Sequence, residues 1–437
     1  MYREVGKGKG IRCRICTGCG LCPGVIPDRL QTEVISPETG AEPHGQSGDP
    51  RKGGAAGANK LHVLAEDALL GQKLPLKGGG RRLVAADIGT TTIAMLLYHE
   101  DGSVADRYVA VNPQTMYGAD VLSRIRAAEN PEWAGEMRRQ AQEVLEKGVR
   151  RFAAGLSAGE GLYMVLAANT TMTYLLMGWN VRELGQAPFA ASRLSAVAGE
   201  AAGIPCFVFP GLSAFVGGDI AAGIHACRMA EGEEIVLLVD LGTNGEMVLG
   251  NRRRRIACAT AAGPAFEGGV NAGIWGADMV SLLARLLEEG VLDATGLLAP
   301  EYFDGGIRIG NVTVTQRAVR SIQLAKAAIA AGIEILLEKY GIRAEQVDRV
   351  VLAGGFGYYL KPDAAARIGL LPAGLAGKAV TGGNTVLSGA LRAGRQLFSL
   401  GEERLAGTLE EINAGTEVIN LAMEAGFEGR YIENMNF

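Results

Sequence analysis

The stretch LVAADIGTTTIAMLLYHEDGSVADRYVAV, residues 83–111, decides the fold. It reads as an apolar strand ending on Asp87, a glycine at 89, three threonines, a second apolar run, a Gly-containing turn and a third strand. The same order returns 153 residues later, counting from Asp87 to Asp240, in LLVDLGTNGEMVLGNRRRRIACATAA, residues 237–262. A strand–Asp–Gly–Thr hairpin found twice points to a duplicated α/β chain in which each half opens with the same device.

The residue types in that device suit a phosphate. Gly89 and Gly242 let backbone N–H groups approach phosphate oxygens. Thr90, Thr91 and Thr92 in the first copy, and Thr243 and Asn244 in the second, add side-chain donors for the same anion. A carboxylate beside a phosphate is repulsive unless a cation lies between them. Asp87 and Asp240 are therefore assigned to Mg²⁺, held through its retained waters. A third Gly-rich element, VVLAGGFG at 350–357, is expected to be a strand running into Gly354, Gly355 and Gly357, with backbone flat against a base or sugar. With the helix that starts near Asn384, it completes a three-sided nucleotide clamp.

These motifs, DIGTTT, DLGTNGE and LAGGFG, resemble the phosphate-1, phosphate-2 and adenosine motifs of the actin, Hsp70 and sugar-kinase superfamily. More narrowly, NPQTMYGADVLSRI (112–125), VGGDIAAG (216–223), TAAGPAFEGG (260–269), TQRAVRSIQLAKAAI (315–329) and GNTVLSGA (383–390) resemble reductive activators of corrinoid-dependent proteins. The resemblance covers residues 83 to 437 and implies an actin-like, ribonuclease H-like two-lobe ATPase. It further implies ATP-driven reduction of cob(II)alamin to cob(I)alamin in a partner, by way of an iron–sulfur centre. That partner would be a corrinoid protein or corrinoid-dependent methyltransferase, with a separate electron donor. Asp219, in GGDIAAG, matches the superfamily's first connecting segment and is the expected water-orienting residue for hydrolysis, alongside Asp87 and Asp240 as catalytic acids. The TAAGPAFEGG loop, with Gly263, Pro264, Glu267 and Gly268, is expected to line the cleft.

Independent of that resemblance, CRICTGCGLCP places Cys13, Cys16, Cys19 and Cys22 at three-residue intervals, with Pro23 after the last. Ferredoxin-type iron–sulfur runs use this pattern, and one 4Fe–4S cluster is the first reading. Tetrahedral zinc on the same four thiolates is the alternative, although structural zinc sites usually separate two C-x₂-C pairs by a longer loop. Similar activators carry a plant-type 2Fe–2S ferredoxin domain or a double-cluster domain at the other end, whereas here a short Cys-bearing head stands in their place. About 60 residues separate Cys22 from Asp87, which leaves no room there for the family's middle domain.

Organisation follows from composition. Residues 1–36 form the Cys-bearing head. Residues 37–82 are a linker whose core, PETGAEPHGQSGDPRKGGAAGAN (37–59), has almost nothing to bury and reads as a flexible tether. The two ATPase lobes are expected at 83–234 and 235–437. Strands are expected at LYMVLAA (162–168) and CFVF (206–209), and helices at 119–129, 136–156, 278–290 and 317–340. The chain of 437 residues is 48% hydrophobic and 21% charged, which supports a sizeable core. No apolar stretch reaches spanning length, and no secretory signal is evident, so a cytoplasmic location without a membrane partner is expected. The net charge of −4 argues against nucleic acid as a partner. RRRR at 252–255 reads as a solvated hairpin tip, and Cys206, Cys227 and Cys258 as buried small apolar side chains. A homodimer is one possibility, and the sequence does not give the oligomeric state. Three other functions stay open: a small-molecule kinase on the same scaffold, an ATP-switched binding protein with a zinc knuckle, and an activator of another low-potential metalloenzyme.

Overall fold

The computed structural model describes residues 79–242, 244–262, 276–309, 312–357 and 359–437. The head, the tether and the first part of the linker lie outside them.

Two six-stranded sheets organise the described chain. The first comprises β1 (Arg81–Ile88), β2 (Thr92–Tyr98), β3 (Val104–Val111), β4 (Gly161–Ala168), β5 (Val197–Ala201) and β6 (Ile204–Val208), in the order β3-β2-β1-β4-β6-β5. The second comprises β7 (Val236–Leu241), β8 (Gly245–Gly250) and β9 (Arg255–Thr260), followed after a small hairpin, β10 (Ile307–Ile309) and β11 (Val312–Val314), by β12 (Arg349–Ala353), β13 (Ala379–Gly383) and β14 (Thr416–Val418). Its order is β13-β12-β7-β8-β9-β14. In both sheets the first three strands form an antiparallel meander, and the opening strand also pairs in parallel with a later strand, β1 with β4 and β7 with β12. The repeat seen in the sequence is thus a repeat of topology. β1 and β7 read as continuous apolar runs because both of their faces are covered.

Helices fill the outer faces. α1 (Val121–Ala127), α2 (Pro131–Ala153) and α3 (Thr170–Met177) belong to the first half. Side chains of α2 and α3, among them Val144, Phe152 and Leu175, close over Val84, Ala86 and Ile88. α2 starts five residues before the expected 136 because Asn130 caps it through the Glu132 amide and Pro131 fits its first turn. On the second sheet the same place is taken by α5 (Gly276–Glu288) and α6 (Gln316–Tyr340), over Leu237, Val239 and Leu241.

Between the sheets run three helices that exchange halves. α4 (Gly218–Ala226) comes from the first half, yet Ile220 and Ile224 pack against Leu238 and Val248 of the second sheet. α7 (Thr385–Leu400) and α8 (Glu402–Ala414) come from the second half, yet Leu387, Leu391 and Leu405 pack against Leu83 and Ala85 of the first. Where α4 and α7 cross, a Cβ on Gly389 would lie 2.1 Å from the Ala222 carbonyl oxygen, so the two backbones touch. Only glycine permits that approach.

The basic tip departs from expectation at one residue. Arg252, Arg253 and Arg254 are exposed, but Arg255 is 3% exposed and donates to Thr416 Oγ1 and to the Asn251 and Ile412 carbonyls. It is the first residue of β9, and there it ties that strand to β14 and α8. Cys206, Cys227 and Cys258 are buried free thiols, as their apolar surroundings in the sequence imply. Among the described residues no helix is long and apolar enough to cross a membrane.

Candidate nucleotide site

The first loop is held from below by the segment that follows β3. Gly89 N–H donates to the Thr92 carbonyl at 2.9 Å and closes the hairpin, and a Cβ on Gly89 would sit 2.9 Å from that same oxygen. Asn112 Nδ2 donates to the Gly89 carbonyl at 2.9 Å, and its backbone N–H to the Thr91 carbonyl at 2.8 Å. Arg124, in α1 and 0% exposed, reaches the Thr90 carbonyl with Nη2 at 2.5 Å and the Gly118 carbonyl with Nε at 3.0 Å. Asn169, which caps α3, donates to Thr90 Oγ1 at 3.1 Å. Thr90 Oγ1 thus accepts there, and its hydrogen is left for another acceptor. The NPQTMYGADVLSRI motif, which in the sequence is only a family likeness, owes its first Asn and its Arg to this brace. Neither can be tied to the loop without knowing which strand faces which.

Four acids gather where the sheets face each other. Asp87 and Asp240 each stand at the end of an opening strand, on the face turned towards α4 and α7. Asp219 is in the first turn of α4. Burial pushes Asp87 up to about 7, against a hydrogen bond from Asn384 Nδ2 at 2.8 Å, with the charge of Asp219 adding to the rise. Burial, then the charges of Asp219 and Asp87, push Asp240 to about 7 as well. Asp219 rises to about 6 through burial, moderated by backbone amides of its own helix, including Ile220 N–H at 2.8 Å. The residues predicted on two separate hairpins and a helix are therefore brought within reach of each other's charge.

The fourth acid, Glu246, closes the DLGTNGE motif and is missing from the residues that sequence reasoning selects. It lies directly opposite Asp240 in the β7–β8 ladder, so both side chains leave the same face, and it is 7% exposed. Burial and the charges of Asp219 and Asp240 hold it well above the usual carboxylate range, while the Asn244 side chain donates to it. Asn244, expected to face the phosphate, is thus engaged with Glu246. The hairpin length alone sets this pairing and is the signal that could have found it.

Gly354 follows β12 with φ +80°, and a Cβ there would lie 2.6 Å from Asp240 Oδ1. The segment after β12 is in this way pressed onto the second acid. Gly354–Gly357 form one helical turn, not the flat backbone expected, because the left-handed glycine turns the chain straight out of β12. A Cβ on Gly355 would meet nothing within 4 Å, which leaves that position open for a ligand. Among the described residues no group of three or more His, Cys, Asp or Glu is arranged as a metal cage. Asp87 and Asp240 instead suit an ion that keeps most of its waters and binds phosphate. Thr243, Cys13, Cys16, Cys19, Cys22 and residues 263–269 of the TAAGPAFEGG loop lie outside the described residues.

Two phosphate hairpins on facing sheets, with an acid from each turned inward and crossed helices between them, define an ASKHA nucleotide-binding fold. The chain belongs to the RACo family: residues 83–232 match the RACo middle region, and residues 234–273 and 270–437 match the C-terminal domain of RACo, the ASKHA domain. The expectation that the middle domain has no room is thereby overturned, since residues 83–232 themselves match it. The corrinoid activation enzyme RamQ of Eubacterium limosum is 28% identical over 451 residues, covering 87% of this chain and 75% of that protein. A Co(II) methylated amine-specific corrinoid protein reductase of Methanosarcina barkeri is 25% identical over 233 residues, 41% of this chain and 42% of its own. The solved reductive activator for corrinoid, iron-sulfur protein superposes with a TM-score of 0.71 at 28% identity, covering 84% of this chain and 66% of that one. The chain therefore spans about two thirds of the solved relative's length.

Proposed function

We propose that this chain is an ATP-dependent reductive activator that delivers a low-potential electron to a corrinoid protein, converting cob(II)alamin to cob(I)alamin. The observation that carries the reading is the meeting of Asp87 and Asp240, one from each copy of the hairpin, across helices that each pack on the opposite lobe. Asp87 and Asp240 would hold Mg²⁺ through water. Gly89, Thr90, Thr91, Thr92, Gly242, Thr243, Asn244, Gly354, Gly355 and Gly357 would line the nucleotide, and Asp219 would orient the attacking water. Because α4 rests on the second sheet and α7 on the first, a change in the distance between the two phosphate loops would shift both helices together. That gives binding energy a route to the rest of the molecule.

Residues 1–36 are proposed as the iron–sulfur head, 37–82 as its tether, and 83–234 and 235–437 as the two lobes. A 4Fe–4S cluster on Cys13, Cys16, Cys19 and Cys22 would supply one electron at low potential. The names of the relatives support a corrinoid protein as acceptor.

Anaerobic reconstitution, then mixing with Mg–ATP, a reductant and a cob(II)alamin protein while the cobalt spectrum is followed, tests the reading. Cobalt reduction that needs both ATP and the four cysteines is expected. Reduction that proceeds equally without ATP, or preparations containing zinc and no acid-labile sulfide, would overturn it. Asp219→Ala should lower ATP turnover about 100-fold with little change in ATP affinity.

A further inference from the structure

We propose that Asn112 and Arg124 are positioning residues for the phosphate chain of a bound nucleoside polyphosphate, an inference that rests on the nucleotide reading above. Three consecutive carbonyls of the first loop are held by the segment after β3. Gly89 O accepts from Asn112 Nδ2 at 2.9 Å, Thr90 O from Arg124 Nη2 at 2.5 Å, and Thr91 O from Asn112 N–H at 2.8 Å. In a trans peptide the carbonyl and the following N–H point in opposite directions. Fixing the first two carbonyls therefore fixes the N–H groups of Thr90 and Thr91 on the side away from the segment.

That side is the one a phosphate needs. The segment lies on the outer face of the first sheet, where Tyr117 and Ile125 pack with Val84, Ala86 and Ile88. Asp87 alternates with those residues and leaves the opposite face, with Leu83 and Ala85. The amides of Thr90 and Thr91 are thus turned away from the brace, as donors for anionic oxygens, while that of Thr92 follows a carbonyl paired in line with the β2–β3 ladder and points along the sheet towards β1. Asn169 adds the Thr90 hydroxyl to these donors by occupying its oxygen. Gly118 completes the brace. Its carbonyl takes Arg124 Nε at 3.0 Å, and a Cβ there would sit 2.4 Å from Ser123 Cβ, so the helix carrying Arg124 is seated directly on it.

A residue that merely supported the fold would weaken binding of every ligand alike. A residue that aims amides at phosphate would weaken only phosphate-bearing ligands. The experiment measures binding of Mg–ATP and of adenosine to the wild-type chain, Asn112→Ser and Arg124→Lys, with the melting temperature of each nucleotide-free protein. ATP affinity is expected to fall about tenfold or more in both variants. Adenosine affinity should stay within about twofold. Asn112→Ser leaves the buried guanidinium in place and decides the matter should Arg124→Lys fail to fold. Unchanged ATP affinity in a folded variant, or equal losses for ATP and adenosine, would overturn the positioning role alone. Failure of the wild-type chain to bind ATP would overturn it together with the nucleotide reading.

Discussion

The two phosphate hairpins share a frame and differ in what holds them. Opposite Asp87 in the β1–β2 ladder stands Ala94, whereas opposite Asp240 in the β7–β8 ladder stands Glu246. Around the first loop the neighbours are donors: Asn112, Arg124, Asn169 and Asn384. Around the second, the neighbours of Asp240 are an acid and a glycine, Glu246 and Gly354. Duplication thus preserved the strand order, which the core requires, while the loops separated into a braced copy and an acid-rich copy. On the proposed reading the braced copy would offer fixed donors to a phosphate, and the acid-rich copy sites for a cation and for a proton.

Placing the second copy's acid in the first is the severest way to break that difference. Ala94 is 0% exposed and packs among Leu83, Ala85 and Leu391, at the layer where α7 covers the first sheet. Ala94→Glu would bury a carboxylate next to Asp87. We expect a loss of about 4 kcal/mol or more, seen as insoluble protein or as a collapse of the urea midpoint. A soluble variant of near wild-type stability would mean that the facing acids tolerate one another far better than their burial implies.

The two loop glycines sharpen the comparison. Gly89 cannot accept a Cβ without displacing the Thr92 carbonyl, whereas a Cβ on Gly242 would come no closer than 3.7 Å to the Asn244 carbonyl. Gly89→Ala is expected to cost about 1–3 kcal/mol in urea unfolding. Gly242→Ala should cost under about 0.5 kcal/mol and instead weaken ATP binding, because its want of a side chain serves an incoming ligand. Equal stability losses in the two variants would show that the second loop is braced as tightly as the first.

Much of this architecture is legible in the amino-acid sequence. Each Asp–Gly–Thr hairpin is a local pattern of about twenty residues, so alternation and turn chemistry are enough to place Asp87 and Asp240, and the superfamily likeness places Asp219 between them. What escapes such reading depends on partners far apart in the chain. Asn384 touches Asp87 from 297 residues away. The exchange of α4 and α7 rests on a glycine, Gly389, that looks like any other small residue in a helix. Arg255 reads like its three exposed neighbours because its burial depends on Thr416 and Ile412, 161 and 157 residues further on. Glu246 is the instructive miss. Counting the pairs back from the turn sets it against Asp240, and a Glu on the buried face of a strand is itself a signal of function.

The smallest effect follows from that acid and separates the copies by titration. Asp87 and Asp240, raised to about 7, and Glu246, held well above the usual carboxylate range by burial and by Asp219 and Asp240, hold protons in the folded chain that the unfolded chain has released. Between about pH 4 and 7 the native state therefore binds more protons, and stability falls as pH rises through that window. The nucleotide-free protein should melt higher at about pH 5.5 than at about pH 8. Glu246→Gln keeps the shape, removes one of these protons from the balance and relieves Asp240 of a like charge. It should raise stability at about pH 8 by about 1 kcal/mol and flatten the slope. Asp87 has no acid across its ladder, so its own share of the slope should survive in that variant and vanish in Asp87→Asn. Added Mg²⁺ and ATP should flatten the wild-type slope in the same direction, since a cation between Asp87 and Asp240 favours their ionised forms. A slope unchanged by Glu246→Gln would mean that the second copy's extra acid is already ionised and screened, and the contrast between the two hairpins would then lie in their loops alone.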